Sequence, residues 1–378
     1  MPEGRAITLR AYESFAEIAP LWDRLEPLDD APFFRAAWLS ALEETGCATA
    51  DRGWVPHHLA FFEDDDLVCV APAYLKLHSE GEFVFDYAWA NAARKFKVSY
   101  YPKLLVASPF TPATGPRVLV ARGKERGFAL SAFAAGVATI TEKAGLSSGH
   151  VLFLPEEDAV ALGRMGLTHR SGVQFHWKND GYVTFEDFLK SVPSKKRTQI
   201  RRERRAPAEQ GLTIVSLTGR DLTPAIADTM YELYLTTVDK FMWGRRYLTR
   251  AFFEAICSTM SEHLEVVLAR DGSGHAVAGA FNLLGKTARF GRYWGAHAEV
   301  PFLHFNVCFY HGIERSIAEG KLRFEPGAGG EHKVARGFSP TLTHSIHVVS
   351  DPRFAAAIDD FCAREREILQ AEIVTRTD

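Results

Sequence analysis

Between Phe324 and Lys333 the chain reads Phe-Glu-Pro-Gly-Ala-Gly-Gly-Glu-His-Lys. Two carboxylates, an imidazole and an ammonium, those of Glu325, Glu331, His332 and Lys333, therefore sit on one short stretch. These residue types suit acyl transfer to an amine. The acceptor nitrogen loses a proton, which a carboxylate or imidazole can take. The developing oxyanion needs donors, which the amides of a glycine turn can supply. Glu325 is the first choice of proton acceptor because it directly ends an expected strand; Glu331 and His332 follow on a looser loop. The glycines can equally serve the turn alone. No nucleophile triad is legible, so direct attack of the amine on a bound ester or thioester is the simplest step.

Two further groups complete the candidate chemistry. Asp239, Lys240, Trp243, Arg245 and Tyr247 mix charges with aromatics after a helix, a composition that suits a cleft wall with polar anchors, as it also suits a packed loop between helices. With Tyr293, Trp294 and Lys333 they form the candidate substrate-binding set. The stretch from Ser194 to Arg205 carries Lys195, Lys196, Arg197, Arg201, Arg202, Arg204 and Arg205 against one acid, Glu203. In a chain of net charge −3 this is the clearest electrostatic anomaly. It reads as a phosphate-binding surface for tRNA, coenzyme A or an anionic lipid-linked substrate, or else as a solvated helix face.

A weaker signal is Ala121-Arg-Gly-Lys-Glu-Arg-Gly-Phe, a glycine- and arginine-bearing loop that opens a helix, where backbone donors favour anions. His297, His304 and His311 recur every seven residues without metal-ligand spacing, and no metal is expected. The five cysteines form no pair and read as free thiols of a reducing compartment. Tyr87, Trp89, Tyr100, Tyr101, Lys103, Phe110 and Arg117 make an aromatic and cationic set in the first half, fit for a cleft or a core.

The elements that must position these groups follow from periodicity. With 378 residues, 47% apolar and 24% charged, the chain is globular and long enough for two domains. No apolar run is long enough to span a membrane, and the first residues show no apolar signal region, so a cytoplasmic protein is expected. The spacing predicts strands at Ile7–Ala11, His58–Phe62, Leu67–Lys76, Lys103–Val106, Arg117–Val120, His150–Leu154 and Leu167–Trp177, with strand-like character from Phe83 to Trp89. Helices are predicted from Pro32, before Gly145, and from Glu156 to Met165. In the second half the basic stretch is predicted as a helix that Ser194 caps and Pro207 ends or kinks. Strands follow at Leu212–Leu217, Leu264–Leu268, Val277–Leu284, Thr287–Trp294, Lys321–Phe324 and Thr343–Val349. Phe305, Phe309, Ile313 and Ile317 share one face of a helix predicted over Leu303–Glu319, closed by Gly320. The tail from Asp351 reads as a capped amphipathic helix.

The stretch from Phe290 to Phe338 resembles the second half of a GNAT acyltransferase domain, and more narrowly the FemAB-like group of N-acyltransferases. Leu75-Lys-Leu-His-Ser-Glu-Gly-Glu-Phe-Val-Phe-Asp and Tyr101-Pro-Lys-Leu look like signatures of the same group. The resemblance implies an α/β fold of two tandem GNAT-like domains, 1–178 and 179–378, each a mixed sheet flanked by helices, with a C-terminal helix. It implies transfer of an acyl or aminoacyl group to an amine of a peptide or peptidoglycan-type acceptor. Related Fem-type enzymes take the group from aminoacyl-tRNA and carry a similar basic helix at the head of the second domain. An acyl-CoA donor acting on a small molecule, and a catalytically degenerate binding module, are the alternative expectations.

Overall fold

The computed structural model describes residues 6–240 and 245–377. The chain forms two compact units that interleave along the sequence instead of dividing at residue 178. The first holds the segment up to Leu28, Leu42–Val173 and the segment from Leu342; the second holds Asp29–Ala41 and Gln174–Thr341.

In the first unit, strands β1 (Ile7–Tyr12), β3 (His58–Glu63), β4 (Asp66–Ala71) and β7 (Leu119–Val120) form one antiparallel sheet in the order β1-β3-β4-β7. Strands β2 (Trp54–Pro56), β5 (Ala73–Lys76), β6 (Lys103–Val106), β8 (Ser148–Leu154) and β15 (Ser339–Val349) follow in the order β15-β8-β6-β5-β2, with β6 and β8 parallel. Pro72 separates β4 from β5, so the predicted run Leu67–Lys76 is two strands, one in each sheet. The helix Arg126–Lys143 packs Ala129, Phe133 and Val137 into the core with Leu59, Phe61 and Val151. Gly136 lets it approach Phe61, whose ring lies 2.3 Å from where a Cβ would stand.

The strand-like reading of Phe83–Trp89 is corrected by a helix, Tyr87–Lys95, whose N-cap is Asp86. Trp89 and Ala93, one turn apart, are its buried face. They pack with Tyr100 against Phe354, Ile358 and Cys362 of the C-terminal helix, Pro352–Thr377. Its position in the chain predicts that helix for the second domain, but its apolar stripe is buried in the first unit. Asp351 Oδ1 accepts from the amides of Arg353 and Phe354, as the cap predicts.

In the second unit, strands β10 (Thr213–Thr218), β11 (Leu264–Arg270), β12 (Ala276–Leu284) and β13 (Ala288–Ala296) are antiparallel neighbours. Strand β14 (Arg323–Glu325) runs parallel to β13, and β9 (Thr168–Lys178) pairs antiparallel with β14. An early segment completes this unit: Asp30 Oδ1 accepts from the amides of Thr287 and Ala288, and Phe33 packs edge-on against Phe290. The helix Pro224–Val238 crosses β13 so closely that a Cβ on Gly295 would stand 1.7 Å from the Leu233 carbonyl oxygen.

That approach makes a prediction. Gly295→Ala should destabilise the fold by roughly 3 kcal/mol, the upper end of ordinary overpacking, because backbone has to move. Gly127→Ala, in a helix with nothing near its added methyl, should be neutral or stabilising by up to about 1 kcal/mol. Urea unfolding measures both, and equal effects would contradict the described approach.

Candidate functional site

β14 stays paired with β13 only through Phe290↔Glu325. The chain then enters Pro326, which has no amide to extend a ladder, and β13 runs on to Ala296 without it. Pro326 lies over Gly291, where a Cβ would meet its Cα at 3.1 Å. Gly327, Gly329 and Gly330 take positive φ values of 91°, 71° and 90°, which is what these glycines are for. A 3-10 turn, Glu331–Arg336, brings the chain back. The parting of two parallel strands at a glycine turn thus carries every candidate catalytic residue.

Strand alternation divides Tyr293 from Trp294. Tyr293 packs with Tyr234, Phe253 and Phe281 on one face of the sheet. Trp294 meets His304 on the other, with ring centroids 5.0 Å apart. Only Trp294 therefore joins the group around the glycine turn. His332 packs against Phe305, Phe309 and His304 at 5.8, 5.6 and 6.2 Å. Lys333 is buried and its Nζ donates to the Gly327 carbonyl at 2.6 Å. Burial holds the Lys333 ammonium down at about 8. Burial, then His332 and the cations Lys333 and Arg336, hold His304 at about 4. His332 is lowered by burial and by Arg336 and Lys333. Both imidazoles are thereby biased toward the neutral form.

Glu325 is buried at the end of β14. Arg323 Nε donates to its Oε1 at 3.0 Å, and His176 Nε2 lies 3.8 Å from its Oε2. Glu331 is exposed. Asp239 ends the helix Pro224–Val238 in a bidentate pair with Arg246, at 2.9 and 2.8 Å. Lys240 and Arg245 are exposed and Tyr247 is half-buried, while Trp243 lies outside the described residues.

The predicted helix Leu303–Glu319 is present but contains a π-turn, Asn306–Tyr310, between α-helical segments. Such turns mark inserted strain and recur at functional sites. Here it faces the basic helix Ser194–Glu209. That helix runs through Pro207, which cannot donate to the Glu203 carbonyl four residues back. Asn306 Nδ2 donates to that carbonyl instead, at 2.8 Å. The buried Glu203 carboxylate accepts from Arg336 Nε and Nη2 at 3.0 and 2.9 Å, from Tyr310 and from Gln199. Arg336 in turn donates to the His332 carbonyl at 2.8 Å. One acid thus ties the basic helix to the π-turn and to the turn that carries His332 and Lys333. Its signal in the sequence was that it stands alone among cations, with a proline four residues on.

The cations of that helix are unequally engaged. Arg201 pairs with Glu186, and Arg204 with Glu314 and the Phe185 ring. Arg197 donates to the Lys190 and Val192 carbonyls. Arg205 reaches Glu209 only at 3.9 Å, and Arg202 lies 5.6 Å over Phe302. Lys195, Arg202 and Arg205 are exposed and Lys196 half-buried.

A family model described as peptidoglycan biosynthesis/recognition matches residues 14–378. The chain belongs to the FemAB-like family. Among solved structures it is similar to FemX, at 12% identity and a TM-score of 0.52, covering 93% of this chain and 100% of that one. It is similar to the C-terminal domain of a putative lysylphosphatidylglycerol synthetase from Agrobacterium fabrum, at 14% identity and a TM-score of 0.54, over 93% of this chain and 97% of that one. No curated protein sequence matches it. These likenesses fix the fold as a FemX-like arrangement of mixed sheets flanked by helices with a C-terminal helix. Membership supports transfer of an acyl or aminoacyl group as the general chemistry of this FemAB-like chain.

In the first unit the loop Ala121–Gly127 spends its charges on the protein. Arg126 forms a two-pronged pair with Asp158, Lys124 reaches Glu63 at 3.0 Å, and Arg122 Nε donates to the Leu25 carbonyl. A phosphate there would have to displace all three. The aromatic and cationic set around Lys103 is mostly core. Buried Lys103 contacts Glu82 at 2.8 Å, Asp86, and Ser79 at 3.2 Å. Lys76 lies 3.7 Å over the Trp54 ring and donates to the Glu80 carbonyl.

These burials set a pH dependence. Burial raises Glu82 from 4.5 to about 7, so its contribution to stability is full at low pH and lost as pH rises through 7. Burial lowers Lys76 from 10.5 to about 7 and Lys333 to about 8, so the unfolded chain binds more protons and stability rises from about 7 toward 10.5. Lys76→Met should flatten the rise above pH 7, and Glu82→Gln the fall below it. Unfolding midpoints measured across pH check both signs; a steeper rise in Lys76→Met would refute the assignment.

Proposed function

We propose that this FemAB-like protein is an N-acyltransferase that takes an aminoacyl group from aminoacyl-tRNA and gives it to an amine of a peptidoglycan-type peptide. The carrying observation is the basic helix. Its buried acid, Glu203, faces inward to hold the candidate catalytic turn, and its less firmly held cations are exposed, where a phosphate backbone can reach them. A polyanion seated on Lys195, Lys196, Arg202 and Arg205 would thereby be referred to His332 and Lys333 through a single buried carboxylate.

In the proposed reaction the amine attacks the ester carbonyl. The C–N bond forms, the C–O bond to the tRNA ribose breaks, and the proton lost by the amine ends on the leaving oxygen. Glu325 is the proposed proton acceptor, rigid at a strand end, with neutral His332 as the relay. In this reading Lys333 and the amides of the glycine turn supply the donors that the oxyanion needs. The acyl-CoA reading is less favoured, because the loop that suggested it has its cations paired within the first unit. No helix among the described residues is long and apolar enough to cross a membrane.

Titration with charged tRNA and with acetyl-CoA separates the two donors. Binding of tRNA should fall steeply with salt. Lys195→Gln and Arg202→Gln should each lower the slope of log affinity against log salt by about one. Glu325→Gln should lower the transfer rate by roughly a hundredfold to ten-thousandfold. Affinity for tRNA that ignores salt, or an unchanged rate in Glu325→Gln, would sink the corresponding assignment.

A further inference from the structure

The first unit carries a surface of distinct composition. From Tyr87 to Lys124 the chain has no aspartate or glutamate but holds Arg94, Lys95, Lys97, Lys103, Arg117, Arg122 and Lys124. Four of these are engaged by the protein: Lys103 and Arg117 are buried, Arg122 donates to Leu25, and Lys124 pairs with Glu63. Arg94, Lys95 and Lys97 are exposed where the helix Tyr87–Lys95 ends, and no acid in the described residues pairs with them.

The other end of the same helix presents aromatics. Phe85 is 69% exposed and Tyr87 50%, their rings stacked at 6.2 Å. By helical spacing Tyr87, Asn91, Arg94 and Lys95 share one face, opposite the buried Trp89 and Ala93. About 10 Å along the axis separates the aromatic end from the cationic end. The presentation is built into the fold. Asp86, between the two aromatics, is buried, with its carboxylate bound by Lys103 and by the Tyr100 hydroxyl at 2.6 Å. Arg170 Nη1 donates to the Phe85 carbonyl at 3.0 Å. With Asp86 held inward, its neighbours Phe85 and Tyr87 project toward solvent.

We propose that this face docks on an anionic lipid surface, with Arg94, Lys95 and Lys97 over phosphate headgroups and Phe85 and Tyr87 in the interfacial layer. Aromatic side chains settle at the headgroup level, and each basic residue near an anionic surface strengthens binding several-fold. Strand-binding grooves interleave cations with stacking rings; here the rings stack on each other and the cations lie two turns away. Attachment is peripheral, a helix face lying on the interface. The inference stands on the first unit alone and does not rest on the proposed donor or acceptor.

The test is co-sedimentation of the full chain with vesicles of phosphatidylcholine, with and without phosphatidylglycerol. The protein should bind the phosphatidylglycerol vesicles alone, and less at high salt. Replacing Arg94, Lys95 and Lys97 together with Gln should cost roughly a hundredfold in affinity. Phe85→Ser with Tyr87→Ser should cost roughly tenfold. All five positions are exposed, so a melting temperature matching the parent's confirms that the variants fold. The pair Arg201→Glu and Arg202→Glu should keep vesicle binding, which separates this face from the basic helix. The proposal is overturned if the parent ignores phosphatidylglycerol, binds neutral vesicles equally, or binds as well without the patch. Single-stranded RNA binding that the patch variants lose, with no response to vesicles, would assign the face to nucleic acid and overturn it too.

Discussion

The second unit depends on one buried carboxylate. Glu203 accepts both prongs of Arg336, the Tyr310 hydroxyl and the Gln199 amide, while its backbone carbonyl, orphaned by Pro207, is met by Asn306. Removing one partner of such a pair costs roughly 3–5 kcal/mol because the other charge stays buried. The cost explains the conjunction. A helix of cations could pack its polar face almost anywhere; one inward acid and one missing amide leave it a single seat, against the π-turn and the turn that carries His332 and Lys333.

The same economy of partners shapes the glycine turn. Pro326 ends the ladder between β13 and β14, and three glycines turn the chain back so that Lys333 donates to Gly327 within the turn itself. Lys333 thus loses water without gaining a carboxylate, and its ammonium falls toward neutrality. His304 beside it is lowered for the same reason, and the neighbouring cations add to the cost of charging it. Lys103, by contrast, gains Glu82 and Asp86 on burial and keeps its charge as a brace of the first unit.

Much of this was legible in the sequence. The order of strands and helices, the Asp351 cap and the glycine turn follow from local propensity, which local chemistry enforces. Three things were not. Phe83–Trp89 reads as extended because Phe83, Phe85 and Tyr87 alternate like a strand, yet a helix begins at Tyr87, after an Asp86 whose carboxylate is bound by Lys103 and Tyr100 and not by the helix's own amides. The C-terminal helix and Asp29–Ala41 crossed between units because an apolar stripe records only that it must be buried, not by what. Tyr293 and Trp294, neighbours in sequence, were grouped together although strand pleating sends them to opposite faces.

The electrostatics of the chain make the last point. A net charge of −3 suggests no polyanion partner, and the sum conceals how the charges are spent. Around Ala121–Gly127 every arginine and lysine has a structural partner, so a motif that looked like a phosphate loop is an internal brace. On the basic helix Arg201 and Arg204 are likewise paired, and it is Lys195, Arg202 and Arg205 that remain turned outward with weak or no partners. Following each cation to its acceptor separates the two stretches. The density of charge along a stretch therefore says less in this fold than the fraction of it that the protein leaves unspent.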